Sequence, residues 1–366
     1  MFLEELDIEI PEALIAQMPA EPRDSCRLMY LPAEGGRRHA VFSDLPELLS
    51  TGDTLVFNDS RVLPARLSAR KSTGGSVELL FLRPADTGDE RTGEGEGELW
   101  EALARPSHRL RPGDRLTLTG GKQVTLIELA GEGRWWVEGP AGHSLVALLE
   151  AEGRLPLPPY IKSYPGEPSS YQTVYASVPG SSAAPTAGLH FTPGLLEDLT
   201  THGVDSAYVT LHIGLDTFQP IREQVVERHR IHRETYNVSA DALGAIRAAR
   251  APGRRLVAVG TTAARVLETL ARDGALDDSG PPRPVSGSTD IFITPGHSFR
   301  AVDVLLTNLH LPRSTVLLLT MAFAGVDRLR QAYAEAVESR YRFFSFGDAM
   351  LIDPQSSVTT YRRGEE

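Results

Sequence analysis

The strongest constraint on this chain is a change of texture partway along it. From about Leu67 to Leu155, short runs follow one another: SVELLFLR, ELWEALAR, DRLTLTG, QVTLIEL and RWWVEG. Each alternates apolar with polar residues, and the breaks carry Gly, Pro or Asp. A period of two with such breaks is the pattern of β-hairpins. Gly131-Glu132-Gly133 separates two of these runs and reads as a hairpin turn. Many short strands in so little chain point to a small barrel. Within it, DTGDERTGEGEGE (86–98) is acidic and glycine-rich, the composition of a solvated loop that would repel phosphates.

On either side the pattern is α/β. TGDTLVFND reads as a turn and a strand, AYVTLHIG as a strand, and RLVAVG followed by TTAARVLETLARDG as strand, sharp turn and amphipathic helix. TDIFI and AVDVLLTNLH read as strands, VDRLRQAYAEAVESRYRFF as a helix and GDAMLI as a last strand. LPLPPYI (155–161) reads as an extended linker. The simplest architecture is a layered α/β/α main domain, residues 1–66 and 156–366, with a small all-β barrel domain inserted at 67–155.

At about 150 residues per domain, 366 residues suit this arrangement. The net charge is −11, yet a local basic surface, not the total, decides docking to RNA. Only Lys71, Lys122 and Lys162 are lysines among 37 basic residues. A GC-rich genome accounts for that bias, and phosphate recognition by arginine forks is the functional alternative. The single cysteine, Cys26, excludes an internal disulfide or a multi-cysteine metal site. Acids at the amino terminus do not fit a signal peptide, and the apolar run Val316–Met321 is too short to span a bilayer. A cytoplasmic protein is expected. No G-x-G-x-x-G after a strand, no Walker A, no H-E-x-x-H and no G-x-S-x-G is present.

Polar clusters fall on turns and strand ends, where sites concentrate. RDSCRL brings Arg23, Asp24 and Arg27; NDSRVLPAR brings Asn58, Asp59 and Arg61. The ordinary reading of the second is an Asx-turn closing a strand. Residues 171–192 bring Tyr171, Gln172, Thr186, Gly188 and His190, with small residues that let backbone approach a ligand. VTLHIGLDTFQP brings His212, Asp216, Thr217 and Phe218, and HRIHRE brings His229, His232 and Glu234. The His229/His232 spacing would serve a metal only if other ligands converged; none is expected. Gly260, Thr261 and Thr262 join a strand to a helix start, suited to a carboxylate or phosphate, with an ordinary Thr N-cap as the plain alternative. Arg265 follows in that helix. TNLHLPRST places Asn308 and His310 after a strand, and YRFFSFGDAM places Tyr341, Arg342, Phe343 and Asp348 near a helix end.

Together these segments resemble one family, the S-adenosylmethionine:tRNA ribosyltransferase-isomerases of queuosine biosynthesis. The stretches that carry the resemblance are IAQMPAEPRDSCRL, GDTLVFNDSRVLPARL, YQTVYA, AAPTAGLHFT, VTLHIG, GTTAARVLE, TDIFITPG, TNLHLPRSTVLLLTMAFAG and YRFFSFGDAMLI. They stand in the family's order from near residue 15 to near residue 352. Asp216 departs from the glycine usual there. Ile231–Tyr236 keeps His232 and Glu234 of a pattern that otherwise reads M-H-S-E-W-Y.

The resemblance implies an α/β body carrying an inserted barrel. It implies transfer of the ribosyl part of S-adenosylmethionine to 7-aminomethyl-7-deazaguanine at the tRNA wobble position. Isomerisation then gives epoxyqueuosine, with adenine and methionine released. S-adenosylmethionine is consumed as substrate, no further cofactor is expected, and a monomer is. A general base must take the C5′ proton beside the sulfonium; the candidates are His190, His212, His232, Glu234 and Asp216. Thr261 and Thr262 would hold the methionine carboxylate, and Asp24, Asn58 and Asp59 the ribose or the guanine-like edge. Arg27, Arg61, Arg265 and Arg342 are candidates for tRNA phosphates. Two rivals are a methyltransferase-like enzyme and a non-catalytic tRNA-binding module.

Overall fold

The computed structural model describes residues 1–85, 97–131, 133–162, 164, 166–214, 220–221 and 223–355. In chain order the strands are β1 (Arg27–Leu31), β2 (Arg38–Val41), β3 (Thr54–Asn58), β4 (Ser60–Val62), β5 (Arg66–Lys71), β6 (Ser76–Pro84), β7 (Leu99–Arg105), β8 (Arg115–Leu118) and β9 (Gln123–Gly131). Then come β10 (Arg134–Glu138), β11 (Val178–Ser181), β12 (Asp205–Leu211), β13 (Glu234–Val238), β14 (Leu256–Val259), β15 (Val285–Thr289), β16 (Val304–Asn308) and β17 (Ala349–Ile352). The helices are α1 (Leu45–Leu48), α2 (Leu145–Glu152), α3 (Pro193–Thr201), α4 (Ala240–Ala248), α5 (Gly260–Arg272), α6 (Thr315–Ala324) and α7 (Val326–Glu338). The described residues fall into two compact units, one drawn from 1–60, 159–178 and 184–355, the other from 61–158 and 179–183.

The first unit is built on a nine-stranded sheet in the order β15-β13-β12-β3-β14-β16-β17-β1-β2. Strands β12, β3, β14 and β16 run parallel. Every residue of β3, β14, β16 and β17 is buried, the continuous apolar pattern of strands covered on both faces. One face presents Leu55, Phe57, Val257, Val259, Val304 and Leu306 to a core that includes Leu45, Leu195 and Leu199 of α1 and α3. The helix α5 packs against β3, β14 and β16 and is buried from Gly260 to Ala271. It is therefore an internal helix, not the half-exposed one its polar residues suggested.

The second unit is a closed six-stranded barrel, β10-β7-β6-β5-β8-β9, antiparallel at every seam. Alternate residues such as Val77, Leu79 and Phe81, or Trp100, Ala102 and Ala104, are buried, as the period of two requires. The fold class is the one read from the sequence, an α/β body carrying a barrel.

Three local differences have simple causes. The barrel has a strand, RLSARK (β5), that charged residues concealed. The strand expected at TDIFI lies one step earlier, at VSGST (β15), an edge strand mostly exposed and so lacking an apolar alternation. The last helix stops at Glu338, short of RYRFF, where Arg340 turns to φ 56. The acidic run 86–96 and Glu132 of the hairpin turn lie outside the described residues. Among the described residues no helix is long and apolar enough to cross a membrane.

Candidate functional site

The parallel strands β12, β3, β14 and β16 end on one edge of the sheet. Because β17 runs antiparallel to β16, and β1 parallel to β17, their first residues reach the same edge. The polar clusters of the sequence therefore meet there: Cys26–Arg27 before β1, Asn58–Asp59 after β3, His212–Gly214 after β12, Gly260–Thr262 after β14, Asn308–His310 after β16 and Phe344–Asp348 before β17. The carboxyl edge of an open α/β sheet is where such folds bind ligands.

A cleft lies at this edge, its empty space about 640 Å³ with the open solvent at its mouth included. Among its walls are Ala184–Ala187, Ile213, Gly260–Thr262, Thr307, Asn308, His310, Phe344 and Ser345. Gly260 opens α5 at φ 86 with only ordinary contacts around a would-be Cβ, so conformation, not space, demands glycine there. The first residues of α5, whose N–H groups have no partner within the helix and carry its positive dipole end, line the cleft, and no side chain caps them. Thr262 is buried, and its Oγ1 has no hydrogen-bond partner among the described residues. An anionic group on a small ligand would satisfy both.

His310 faces the same space. Its Nε2 lies 2.7 Å from Thr307 Oγ1, and its backbone N–H donates to the Tyr333 hydroxyl at 2.6 Å. Nδ1 has no partner among the described residues. Burial pushes its pKa down to about 3, so the ring is neutral at physiological pH. Across the cleft, Tyr160 and Phe344 tilt against each other at 4.9 Å, and the Tyr160 hydroxyl meets Ser345 Oγ at 2.6 Å.

Of the residues singled out from sequence, Thr186, Gly260, Thr261, Thr262, Asn308 and His310 line this cleft. Thr186 donates to Asn308 Oδ1 at 3.0 Å. His190 stands behind the wall, between Cys26 Sγ at 3.2 Å and Asn308 Nδ2 at 3.0 Å. Both of its ring nitrogens are engaged, and burial pushes its pKa down to about 3. His212 closes β12 beside the cleft residue Ile213; its Nδ1 is buried without a partner among the described residues, and burial lowers its pKa against the opposing charge of Asp59.

The remaining candidates have internal partners. Glu234 and Arg265 form a buried ion pair, with the Gly214 N–H donating to Glu234 at 2.9 Å. Asn58 brackets two strands: its Oδ1 accepts from Ser60 and Leu211 N–H, and its Nδ2 donates to the Leu211 carbonyl. Asp59 accepts from Thr210 at 2.6 Å and Ser177 at 2.8 Å. Asp24 accepts from Thr192, the N-cap of α3, and Arg23 donates to the carbonyls of Ser169 and Gln172. Tyr171 is fully buried against Phe346. Gly188 lies under Tyr175, whose hydroxyl fills the place a Cβ would take.

The four arginines expected at tRNA phosphates are all committed within the protein. Arg27 pairs with Asp348 and covers the Tyr341 ring at 4.1 Å; Arg61, in the barrel unit, pairs with Glu150. Arg265 holds Glu234, and Arg342 donates to the carbonyls of Met18 and Phe346. Tyr341 and Phe343 are core residues, and Asp348 also accepts from the Arg342 N–H at 2.8 Å. His232 is exposed. Asp216, Thr217 and Phe218 lie outside the described residues. His229 pairs with Glu223, and among the described residues no group of three His, Cys, Asp or Glu could hold a metal.

Sequence reasoning missed Tyr160, Ile213, Thr307 and Ser345. Tyr160 closes a proline-rich linker, which gave no chemical signal. Thr307 precedes Asn308 inside a strand, where a hydroxyl is easily read as packing.

Fold and site thus define an α/β protein with a small-ligand cleft at the carboxyl edge of its sheet and a separate antiparallel barrel. The family model described as queuosine biosynthesis protein matches residues 3–352. The S-adenosylmethionine:tRNA ribosyltransferase-isomerase of Rubrobacter xylanophilus is 50% identical over 353 residues, covering 96% of this chain and 98% of the relative. That of Symbiobacterium thermophilum is 48% identical over 355 residues, covering 96% and 100%. The crystal structure of the S-adenosylmethionine tRNA ribosyltransferase of Thermotoga maritima is 37% identical, covers 95% of this chain and 99% of that one, and superposes with a TM-score of 0.53. The chain belongs to the queuosine biosynthesis family.

Proposed function

We propose that the protein transfers and isomerises the ribosyl moiety of S-adenosylmethionine onto 7-aminomethyl-7-deazaguanine at the tRNA wobble position, giving epoxyqueuosine and releasing adenine and methionine. Full-length similarity to enzymes of that name supports the chemistry. The observation that carries the assignment of the site is the cleft joining the uncapped start of α5 to a neutral histidine. S-adenosylmethionine is consumed as substrate, with no other cofactor. The protein acts as a cytoplasmic monomer.

The start of α5 and Thr262 hold the methionine carboxylate. His310 takes the C5′ proton onto Nδ1, and the bonding pair stays on C5′, where the adjacent sulfonium stabilises it. For Nδ1 to accept, Nε2 must carry the hydrogen and donate it to Thr307. Thr307 is thus a positioning residue that fixes the tautomer. The C5′ pair forms a C4′–C5′ double bond as the C4′–O4′ bond breaks and opens the ribose. O4′ becomes the carbonyl oxygen of C1′, the C1′–N bond breaks, and adenine leaves with the pair and takes up a proton. The amine of the tRNA base then adds to C4′ of this vinyl sulfonium and loses a proton. The regenerated C5′ pair bonds to the C1′ carbonyl to close the five-membered ring. The C1′ alkoxide displaces the sulfur from C5′, forming the epoxide and releasing methionine. Tyr160 and Phe344 offer an aromatic wall for one of the two heterocycles.

The products test the reading. Adenine and free methionine, with a correspondingly heavier nucleoside in an anticodon stem-loop, are expected by mass spectrometry. S-adenosylhomocysteine would instead identify a methyltransferase, and tRNA binding without consumption a binding module.

A further inference from the structure

With the four arginines above committed internally, the cationic surface of this acidic protein must lie elsewhere. The barrel topology places one at a single end. β5 and β7 finish, and β6 and β8 begin, on the same side, as the pairs Arg70↔Ser76, Glu78↔Arg105 and Lys71↔Leu116 require. The loop from β7 to β8 adds Arg109 and Arg111. Arg70, Arg105, Arg109, Arg111 and Arg115 are all exposed. None of their guanidinium groups has a hydrogen-bond or ion-pair partner among the described residues.

The one acid of the loop, Asp114, is already neutralised by Lys71 Nζ at 2.9 Å. That lysine also donates to the Arg109 carbonyl at 2.7 Å, and the Arg111 N–H donates to Asp114 at 3.1 Å. Leu110 is buried, and the Gly113 N–H bonds to the Leu126 carbonyl at 2.7 Å. The loop is therefore pinned at several points while its arginines stay in solvent. The opposite ends of β6 and β7 are joined by 86–98, which carries six acids and one arginine. On the rim's own side the described acids beside Asp114 are Glu78, which is paired with Arg66, and the exposed Glu128 of β9, so the five exposed arginines outnumber them.

We propose that this arginine rim is a docking surface for the phosphate backbone of the tRNA substrate. Four adjacent strands spread it over about 14 Å, a span suited to several consecutive phosphates and not to one small anion. Arginine forks held on rigid elements bind phosphates without reading sequence. The proposal rests on the reading that the protein acts on tRNA. It adds a contact region on the barrel that is distinct in residues from the cleft.

The test is tRNA binding by fluorescence anisotropy as a function of salt, with wild type and the triple variant Arg109→Ala, Arg111→Ala, Arg115→Ala. Each lost phosphate contact should flatten the slope of log affinity against log salt by about 0.7–0.9. The variant should lose about two units of slope and about tenfold or more in affinity, with S-adenosylmethionine binding unchanged. Equal affinity and slope in the two proteins would overturn the proposal, as would a weaker affinity with an unchanged slope. Failure of the wild type itself to bind tRNA would instead overturn the functional reading. Because the three side chains are exposed, the variant should retain the far-ultraviolet spectrum of the wild type.

Discussion

The side-chain amide nitrogen of Asn308 lies 3.0 Å from Nε2 of His190. An amide nitrogen can only donate, so Nε2 must accept, and the hydrogen of the imidazole sits on Nδ1, facing Cys26 Sγ. Thr186, Asn308, His190 and Cys26 thus form one directed chain behind the cleft wall. Burial pushes the cysteine thiol well above its usual range, so it remains a neutral partner. His190 orients Asn308; it does not reach into the cleft.

This arrangement predicts a pH dependence of stability. The His190 pKa is depressed to about 3, whereas an unfolded histidine titrates near about 6.5. Between these values the unfolded chain binds a proton that the folded chain does not. Stability from this group is therefore complete above about 6.5 and falls with pH toward about 3, by about 1.4 kcal/mol per unit. Urea unfolding at several pH values should give a slope shallower by about that amount in His190→Asn than in the wild type, the equally depressed His310 contributing to both. Equal slopes would contradict the account.

His310 and Thr307 predict a separation of binding from chemistry. His310→Gln should lower adenine release by about a hundredfold or more while leaving S-adenosylmethionine affinity within a few fold. Exchange of the C5′ hydrogens with deuterated water, followed by NMR, should disappear in the same variant. Thr307→Val should fall between the two. Because burial holds His310 at about 3, the rate profile should show no histidine limb between about pH 5 and 8 from this residue. Exchange at the wild-type rate in His310→Gln would remove it as the base.

Gly188 predicts a packing effect where a ligand contact had been expected. A methyl there would overlap the Tyr175 hydroxyl, which is itself buried without a hydrogen-bond partner among the described residues. Gly188→Ala should cost about 1–3 kcal/mol of stability. Adding Tyr175→Phe should recover part of that loss. No recovery in thermal melts would show that the glycine is needed for another reason.

The Glu234–Arg265 pair predicts a stability cost in place of a purely catalytic one. Breaking a buried pair by removing one partner strands the other charge and typically costs about 3–5 kcal/mol. Glu234→Gln should lower the unfolding midpoint strongly, and Glu234→Leu with Arg265→Leu should be milder than either single change. Full loss of turnover in Glu234→Gln at unchanged stability would instead restore the glutamate as an acid–base candidate.

The fold was legible where packing writes a period. The barrel strands alternate, and β3, β14, β16 and β17 are apolar runs because both faces are covered. RLSARK and VSGST were not legible, since charge or exposure erased the alternation. The site was legible as polar clusters following strands, because the carboxyl ends of parallel strands share one edge. Partners far apart in the chain were not: Arg27 meets Asp348, and His190 is set between Cys26 and Asn308. That His310, not named among the candidate bases, lines the cleft while His190 lies behind its wall depends on burial and long-range packing, and neither is encoded locally. Tyr160 reached the cleft from a linker that looked like a spacer.

The central claim is that the cleft between the start of α5 and His310 receives S-adenosylmethionine. A crystal structure of the protein grown with S-adenosylmethionine in the absence of tRNA tests it most directly. Ligand density with its carboxylate on the N–H groups of Thr261 and Thr262 and its C5′ carbon facing His310 Nδ1 is the predicted result. Ligand bound anywhere else on the protein, with this cleft holding only solvent, would contradict it.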